Sequence, residues 1–268
     1  MDTIKTLKSI LLCLLLVSCT NPSSSDKPST GTNNSSEVSS SDKPNTGTSN
    51  SSQTDSTSST DTLKSGLVAY YPFNGDANDM AATNNGSVVN ATLTTDRNNN
   101  ANKAYSFDGK SYINSNFNFN GTLTDFSFSY WVKFIDQTGT QKIFNFQEGG
   151  QGGLELSNDN TSGLRFVLIG ANQSNGATIY NTSFTNGTWY HVVTTFNKTS
   201  QKKKIYINKN LVLNSASPST ITALVNSTLR IGGAKTGMEN LKGCLDDFRI
   251  YNKELTQNEV LSLYSFTD

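Results

Sequence analysis

The sequence predicts an all-β domain, a two-sheet antiparallel sandwich, and three observations carry that prediction. From about residue 65 onward, apolar and polar residues alternate with period two in several separate runs. Clusters of Gly, Asn, Asp and Ser divide these runs at intervals suited to a sandwich. Only one segment carries the marks of a helix. Ahead of the domain the composition is different and needs its own reading.

Residues 1–18 read as a targeting segment: Lys5 and Lys8 give a basic start, and Ile10 to Val17 is apolar. That run is far shorter than the ~20 apolar residues a membrane-spanning helix needs. It ends in Leu16-Val17-Ser18-Cys19, which resembles the lipobox of bacterial lipoproteins, where the cysteine takes diacylglycerol as a thioether and becomes the new N-terminus. The resemblance implies a cleaved signal peptide over 1–18, lipidation of Cys19 and a place in the cell envelope, on the outer membrane or cell surface. The membrane is then reached through the lipid anchor alone. Several acyl chains hold stably where one is marginal. Cys13 leaves with the signal, so Cys244 is the single cysteine of the mature chain and has no partner there; a small buried hydrophobe is its expected role.

Residues 19–64 form a linker with almost no large apolar side chains, a composition that cannot offset its own ordering entropy. Ser23-Ser24-Ser25-Asp26-Lys27-Pro28-Ser29-Thr30-Gly31-Thr32 returns nearly unchanged from Ser39 to Thr48. A repeat this polar has no face to stack on its copy, so it is a disordered spacer. About 45 such residues reach on the order of 35–40 Å, and near 150 Å at full extension. A tether of this kind favours a binding head, which gains from accessibility, over a catalyst.

Residues 65–268 suit one domain with a sizeable core. Phe126, Phe128, Tyr130, Val132 and Phe134 share one strand face, with Ser127, Ser129, Trp131 and Lys133 on the other. Leu164, Phe166 and Leu168 alternate in the same way, as do Tyr190, Val192, Thr194 and Phe196, then Ile205 and Ile207 about Tyr206. Lys202-Lys203-Lys204, the only basic run, is expected at a solvated hairpin tip or edge. Leu229 and Ile231 precede Gly232-Gly233, and Phe248 and Ile250 alternate with Asp247, Arg249 and Tyr251. At the end, Thr256-Gln257-Asn258-Glu259 reads as a capping box ahead of Val260, Leu261, Leu263 and Tyr264, so a short helix is expected against the sheet. A jelly roll accommodates this order. With 21 basic and 21 acidic residues, no nucleic-acid footprint is expected.

Several stretches resemble the laminin-G-like, concanavalin A-like jelly-roll superfamily, in its bacterial and pentraxin-like branch. They run in order over 66–264. Gly66-Leu67-Val68-Ala69-Tyr70-Tyr71-Pro72-Phe73-Asn74-Gly75-Asp76-Ala77-Asn78-Asp79 is similar to its first strand and acidic turn, and Tyr105-Ser106-Phe107-Asp108-Gly109 to its Phe-Asp-Gly turn. Phe126 to Val132 is similar to its aromatic strand, Trp189 to Val193 with Ile205 to Asn208 to its central hairpin, and Leu245 to Leu255 to its closing strand. The chain departs at Met80-Ala81-Ala82-Thr83, where the family has Ser-Gly-Asn, and at Lys209-Asn210, where a glycine is common. The fold implied is a jelly roll; the functions in the family are diverse.

Parity with Phe248 and Ile250 places Asp246 on the interior side, where backbone N–H groups, an arginine or a cation must meet its carboxylate. The resemblance implies a structural Ca²⁺ held by Asp246 with Asp76 or Asp79, and the Met80 departure weakens that implication. Asp108 reads as a turn former. Trp131 lies opposite the phenylalanines and is either a sugar-stacking platform or covered by a loop or the terminal helix; Trp189 is expected in the core. Tyr180 and the Asn172-Gln173-Ser174-Asn175 loop are further sugar-site candidates. His191, the only histidine, rules out a His₂ zinc site and reads as an ordinary strand residue. The domain's glutamates, Glu148, Glu155, Glu239, Glu254 and Glu259, never form the Glu-x-Asp-x-x-Glu pattern of the fold's glucanases, so no catalytic role is expected. The function expected is non-catalytic recognition of glycan. A protein-interaction or structural surface module with a cell-surface protein as partner is the alternative, and a divergent glycosidase a remote third.

Overall fold

Each alternating run offers one apolar face, and two layers of strands close those faces on each other. The computed structural model describes residues 63–119, 124–146, 153–169, 177–217, 227–234 and 237–267. One sheet has eight strands. Its order is β13 (Asn210–Ala216), β12 (Lys202–Ile207), β11 (Trp189–Asn197), β6 (Phe126–Phe134), β15 (Lys242–Tyr251), β4 (Ala104–Asp108) and β3 (Thr92–Thr94), and β1 (Leu67–Tyr71) also pairs with β15. The other has seven: β10 (Ala177–Tyr180), β9 (Gly163–Ile169), β8 (Gly153–Asp159), β7 (Thr140–Asn145), β14 (Arg230–Ile231), β5 (Tyr112–Ser115) and β2 (Gly86–Val89). All these pairings are antiparallel. A jelly-roll sandwich is thus what the alternation builds.

The core is aromatic. Phe126, Phe128, Tyr130, Val132 and Phe134 of β6 are fully buried between the sheets, and Phe128 stacks on Phe144 of β7 at 4.2 Å between ring centroids. This stack joins the two layers directly, and such pairs add about 0.5–1.5 kcal/mol beyond area burial. Asp108 does make a turn: its carboxylate accepts from the N–H of Lys110 and Ser111, both at 2.9 Å, around Gly109 at φ 86°. At the β12–β13 hairpin, Asn208 and Lys209 both take left-handed backbone in place of the glycine common in the family.

The outer face of the eight-stranded sheet is buried as well. The helix α1 (Gln257–Tyr264) starts with the expected capping box, Thr256 N donating to Glu259 Oε2 at 2.8 Å and Glu259 N to Thr256 Oγ1 at 3.3 Å. Val260 and Leu263 of α1 pack with Leu63 and Leu255 against Val193, Tyr206 and Tyr251 of the sheet. Cys244 of β15 is fully buried on this sheet.

Two positions correct the sequence reading by parity. In β15 the register slips between Asp246 and Arg249, and Asp247 takes φ 53°. This bulge puts Leu245 and Phe248 both in the core and turns Asp246 and Asp247 to the outer face. The second is Lys203. It lies inside β12 rather than at a solvated tip, fully buried, with Nζ donating to the Phe166 carbonyl across the sandwich at 3.4 Å. Burial pushes its ammonium down to about 8. A base with a depressed folded pKa costs stability below that value and the cost is relieved as pH rises from 8 toward 10.5. Lys203→Met is therefore expected to stabilise the domain at pH 7 by about 2 kcal/mol, read by urea unfolding.

Candidate functional site

The acidic residues implied for Ca²⁺ are not brought together. Asp79 is buried, and its Oδ1 accepts from the N–H of Tyr70, Ala81 and Ala82 at 2.9, 3.0 and 3.2 Å. Its Oδ2 accepts from Asn84 N and Nδ2 at 3.3 and 3.1 Å. Five donors spend the lone pairs of one carboxylate. Met80-Ala81-Ala82 thus turns the loop back onto Asp79, which is the physical effect of the departure seen in the sequence. Asp76 is exposed and occupied by Asn78 N and Nδ2 at 2.9 and 2.7 Å.

Asp246 meets an arginine. Its Oδ2 pairs with Arg97, whose second nitrogen contacts Asp247 Oδ2 at 2.6 Å; Arg249 then contacts Asp247 Oδ1 at 3.0 Å. The cluster is two cations and two anions, all with side chains 5% exposed or less. Asp76, Asp79 and Asp246 do not fit a shared Ca²⁺ cage, and among the described residues no three metal-ligating side chains converge.

Trp131 is covered, not open to a sugar. Tyr264 of α1 stacks on it at 5.5 Å and 27°, His191 lies 5.1 Å away, and the Arg97 guanidinium sits 5.0 Å from the ring centroid. Trp189 is on this same outer face, with Lys133 Nζ 5.0 Å from its ring, rather than in the core. His191 shares a 2.9 Å hydrogen bond with Ser129 Oγ across β11 and β6. A cleft of about 670 Å³ opens on this side, lined by Leu63, Tyr70, Met80, Arg249 and Phe266. Arg249 fills its floor, held between the Tyr70 ring at 4.0 Å and the Phe266 ring at 4.5 Å. That packing ties the start of the domain to its C-terminal segment, with Lys64 at the cleft as well.

The opposite face is different. On the seven-stranded sheet, register aligns Ser87, Asn114, Arg230, Asn145, Glu155 and Val167 in one row across the strands. Arg165, Ser157 and Lys142 make the neighbouring row, which Asn240 extends through a bridge to Lys142. Lys142 Nζ donates to Glu155 Oε1 at 2.5 Å, and Asn145 Nδ2 to Glu155 Oε2 at 3.1 Å. Glu239 reaches the same Lys142 Nζ at 3.4 Å. Arg230 lies 4.0 Å over the Tyr112 ring and donates to Asn114 Oδ1 at 3.0 Å and to the Ala234 carbonyl at 2.6 Å. Asn240 Oδ1 accepts from Ala234 N at 3.1 Å and lies over Gly233, where a Cβ would come within 2.5 Å of it.

This face carries planar amides, paired charges and an aromatic ring, the side-chain types that meet sugar hydroxyls and C–H faces. The sequence reading passed over it. Gln141-Lys142 and Leu154-Glu155-Leu156-Ser157 alternate like any half-solvated strand, and nothing in a strand's pattern tells a solvated polar face from an organised one. Tyr180 is half-buried against the core. Cys19, Glu148 and the 172–175 loop lie outside the described residues.

No curated protein matches the chain. Domain 4 of AbnA, an extracellular arabinanase from Geobacillus stearothermophilus solved with arabinotriose, shares the fold at TM-score 0.63 and 20% identity over 74% of this chain and 98% of that one. Botulinum neurotoxin type C, in a structure on cell entry through two ganglioside molecules, follows at 0.58 and 18%, over 76% and 52%. A Trypanosoma rangeli sialidase with 2,3-difluorosialic acid gives 0.55 and 16%, over 74% and 32%. The chain thus spans nearly all of the first, about half of the second and a third of the third. A model described as the concanavalin A-like lectin/glucanases superfamily matches residues 107–261, more than half of the sequence, and the chain belongs to that superfamily.

Proposed function

We propose that this domain is a non-catalytic recognition module that binds carbohydrate through the outer face of its seven-stranded sheet. The observation that carries the reading is the row of amide and charged side chains across that face, built on Lys142, Asn145 and Glu155. The arabinanase domain with arabinotriose and the ganglioside-dependent neurotoxin are of the same fold, which supports a sugar over other ligands. Exposed large apolar residues are scattered over β2, β10, β13, α1 and two loops (Val88, Ile179, Leu211, Leu261, Met80, Met238), which speaks against a protein-docking patch.

A glycosidase is the reading with one observation in its favour. Glu155 and Glu239 both contact Lys142 Nζ, which puts two carboxylate oxygens within about 6 Å, close to the spacing of a retaining pair. Lys142 stands between them, however, where a scissile bond would have to lie. Hydrolysis is therefore expected to be absent on any oligosaccharide the protein binds.

The test is a glycan-array measurement on the full chain, with Ca²⁺ and again with EDTA. Binding to a defined sugar class that survives EDTA is expected, because the carboxylates implied for Ca²⁺ are already paired. An empty array would sink the carbohydrate reading and point to a protein partner.

The proposal includes the anchor: a cleaved signal over 1–18, lipid on Cys19 and a tether over 20–64 at the cell envelope, supported by Leu16-Val17-Ser18-Cys19 and the low-complexity repeat. Cys19→Ala is expected to abolish labelling by radioactive palmitate and to move the protein out of the membrane fraction. Unchanged labelling would refute the anchor.

A further inference from the structure

We propose that the cleft beside Arg249 is a second site, independent of the carbohydrate reading, and that it takes a fatty acid by its carboxylate and the adjoining hydrocarbon chain. The cleft is open to solvent and holds about 670 Å³, within the ~300–1,000 Å³ usual for small-molecule sites. Leu63, Leu67, Met80 and Phe266 make its walls apolar. Met80 is 69% exposed there. It belongs to Met80-Ala81-Ala82-Thr83, the stretch in which this chain departs from its superfamily. A long, flexible apolar side chain at a cleft rim contributes little to the core, and an alkyl ligand is what it would cover.

The floor selects the head group. The Arg249 guanidinium is held between the Tyr70 and Phe266 rings, at 4.0 and 4.5 Å, so its N–H groups donate in its own plane, along its edges. One nitrogen meets Asp247 Oδ1 at 3.0 Å, an oxygen that also accepts from Tyr70 Oη at 2.6 Å. Among the described residues no second acceptor takes the other N–H groups of Arg249. The charges around it leave room for one more anion. Arg249, Arg97 and the exposed Lys64 are three cations, whereas Asp246 and Asp247 are two anions. Asp79, in the turn that carries Met80, is already met by five N–H donors. A carboxylate matches a guanidinium edge and adds one negative charge, which Lys64 can share. A neutral alcohol leaves both cations unmet, and a dianionic phosphate overshoots the balance beside Asp247.

The experiment is calorimetric titration of the full chain with decanoate below its micellar concentration, beside decan-1-ol and vesicles of phosphatidylglycerol. Arg249→Met would break the buried ion cluster, so the variants sit at the two exposed lining positions. Lys64→Glu reverses the free charge, and Met80→Asp puts a carboxylate on the apolar wall. Decanoate is expected to bind at a single site, with decan-1-ol and both variants weaker by about tenfold or more, the scale of a lost charged hydrogen bond. The thermal midpoints of both variants should match the parent, since both side chains are exposed. Equal affinity for acid and alcohol would overturn the carboxylate assignment. Decanoate binding that ignores both substitutions would place the ligand elsewhere and overturn the site. So would a chain that binds the vesicles but not decanoate, or one that binds neither. The glycan array stands apart from all of these outcomes, so this site and the carbohydrate reading fail separately.

Discussion

Asp246→Ala is expected to cost the fold about 3–5 kcal/mol, the usual penalty for removing one partner of a buried ion pair. The loss comes from what is left behind. Arg97 would remain under α1 with a side chain 5% exposed, sharing Asp247 with Arg249, so one positive charge in the cluster would be uncompensated. Arg97 also donates to the Phe266 carbonyl at 2.9 Å and lies over Trp131, so its displacement would loosen the C-terminal segment too. Asp246→Asn, which keeps shape without charge, should fall between. Removing both partners in Asp246→Ala/Arg97→Met should cost clearly less than the sum of the single losses, because no orphan charge remains. Urea unfolding of the parent, Asp246→Ala, Arg97→Met and the double variant measures this coupling. Were EDTA to destabilise the parent as much as Asp246→Ala does, with the variant indifferent to EDTA, a bound cation would be the partner instead.

Acid should destabilise the domain well before most of its carboxylates titrate, and His191 is the cause. The imidazole is buried beneath Trp131 and Tyr264, and burial, with smaller contributions from Arg249 and Arg97, pushes its pKa down to about 3. An unfolded histidine titrates near 6.5. Between those values the unfolded chain binds the extra proton and the folded one does not, so stability falls as pH falls, by up to about 1.4 kcal/mol per unit. The accumulated loss approaches about 4 kcal/mol near pH 3. Unfolding curves at pH 7, 6 and 5 should show the decline in the parent chain and none in His191→Gln over that interval, where other shifted groups such as Asp108 and Asp136 sit lower still. Parallel decline in both would remove His191 from the account.

The fold was legible because period-two alternation survives translation into strands almost unchanged. Every β6 residue read as inward is inward, and the Thr256–Glu259 capping box forms as read. What failed were inferences that need an exact count. A single extra residue at Asp247 reverses parity, and it moved Asp246 from the core side to the helix side. Nothing in Leu245-Asp246-Asp247-Phe248 announces a bulge, since the residue in left-handed backbone is an aspartate rather than a glycine. Trp131 shows a second limit: a tryptophan on a polar strand face can be a platform or a covered residue, and only the position of α1 shows that Tyr264 covers it. The polar face of the seven-stranded sheet escaped for the opposite reason. Lys142, Glu155, Glu239 and Asn240 come from three separate stretches, and only the pairing of β7 with β8 and the Lys142–Asn240 bridge make them neighbours.

The packing of Leu63 has a directional consequence. The chain enters the domain under α1, against Val193, Tyr206 and Tyr251, on the outer side of the eight-stranded sheet. Whatever restrains the chain ahead of Leu63 therefore pulls on that side of the sandwich. The seven-stranded sheet, about 10 Å away through the core, is left facing the other way. Under the proposed anchor and carbohydrate reading, a body held there would present the seven-stranded sheet away from its point of restraint, so attachment and recognition would fall on opposite sides of the sandwich.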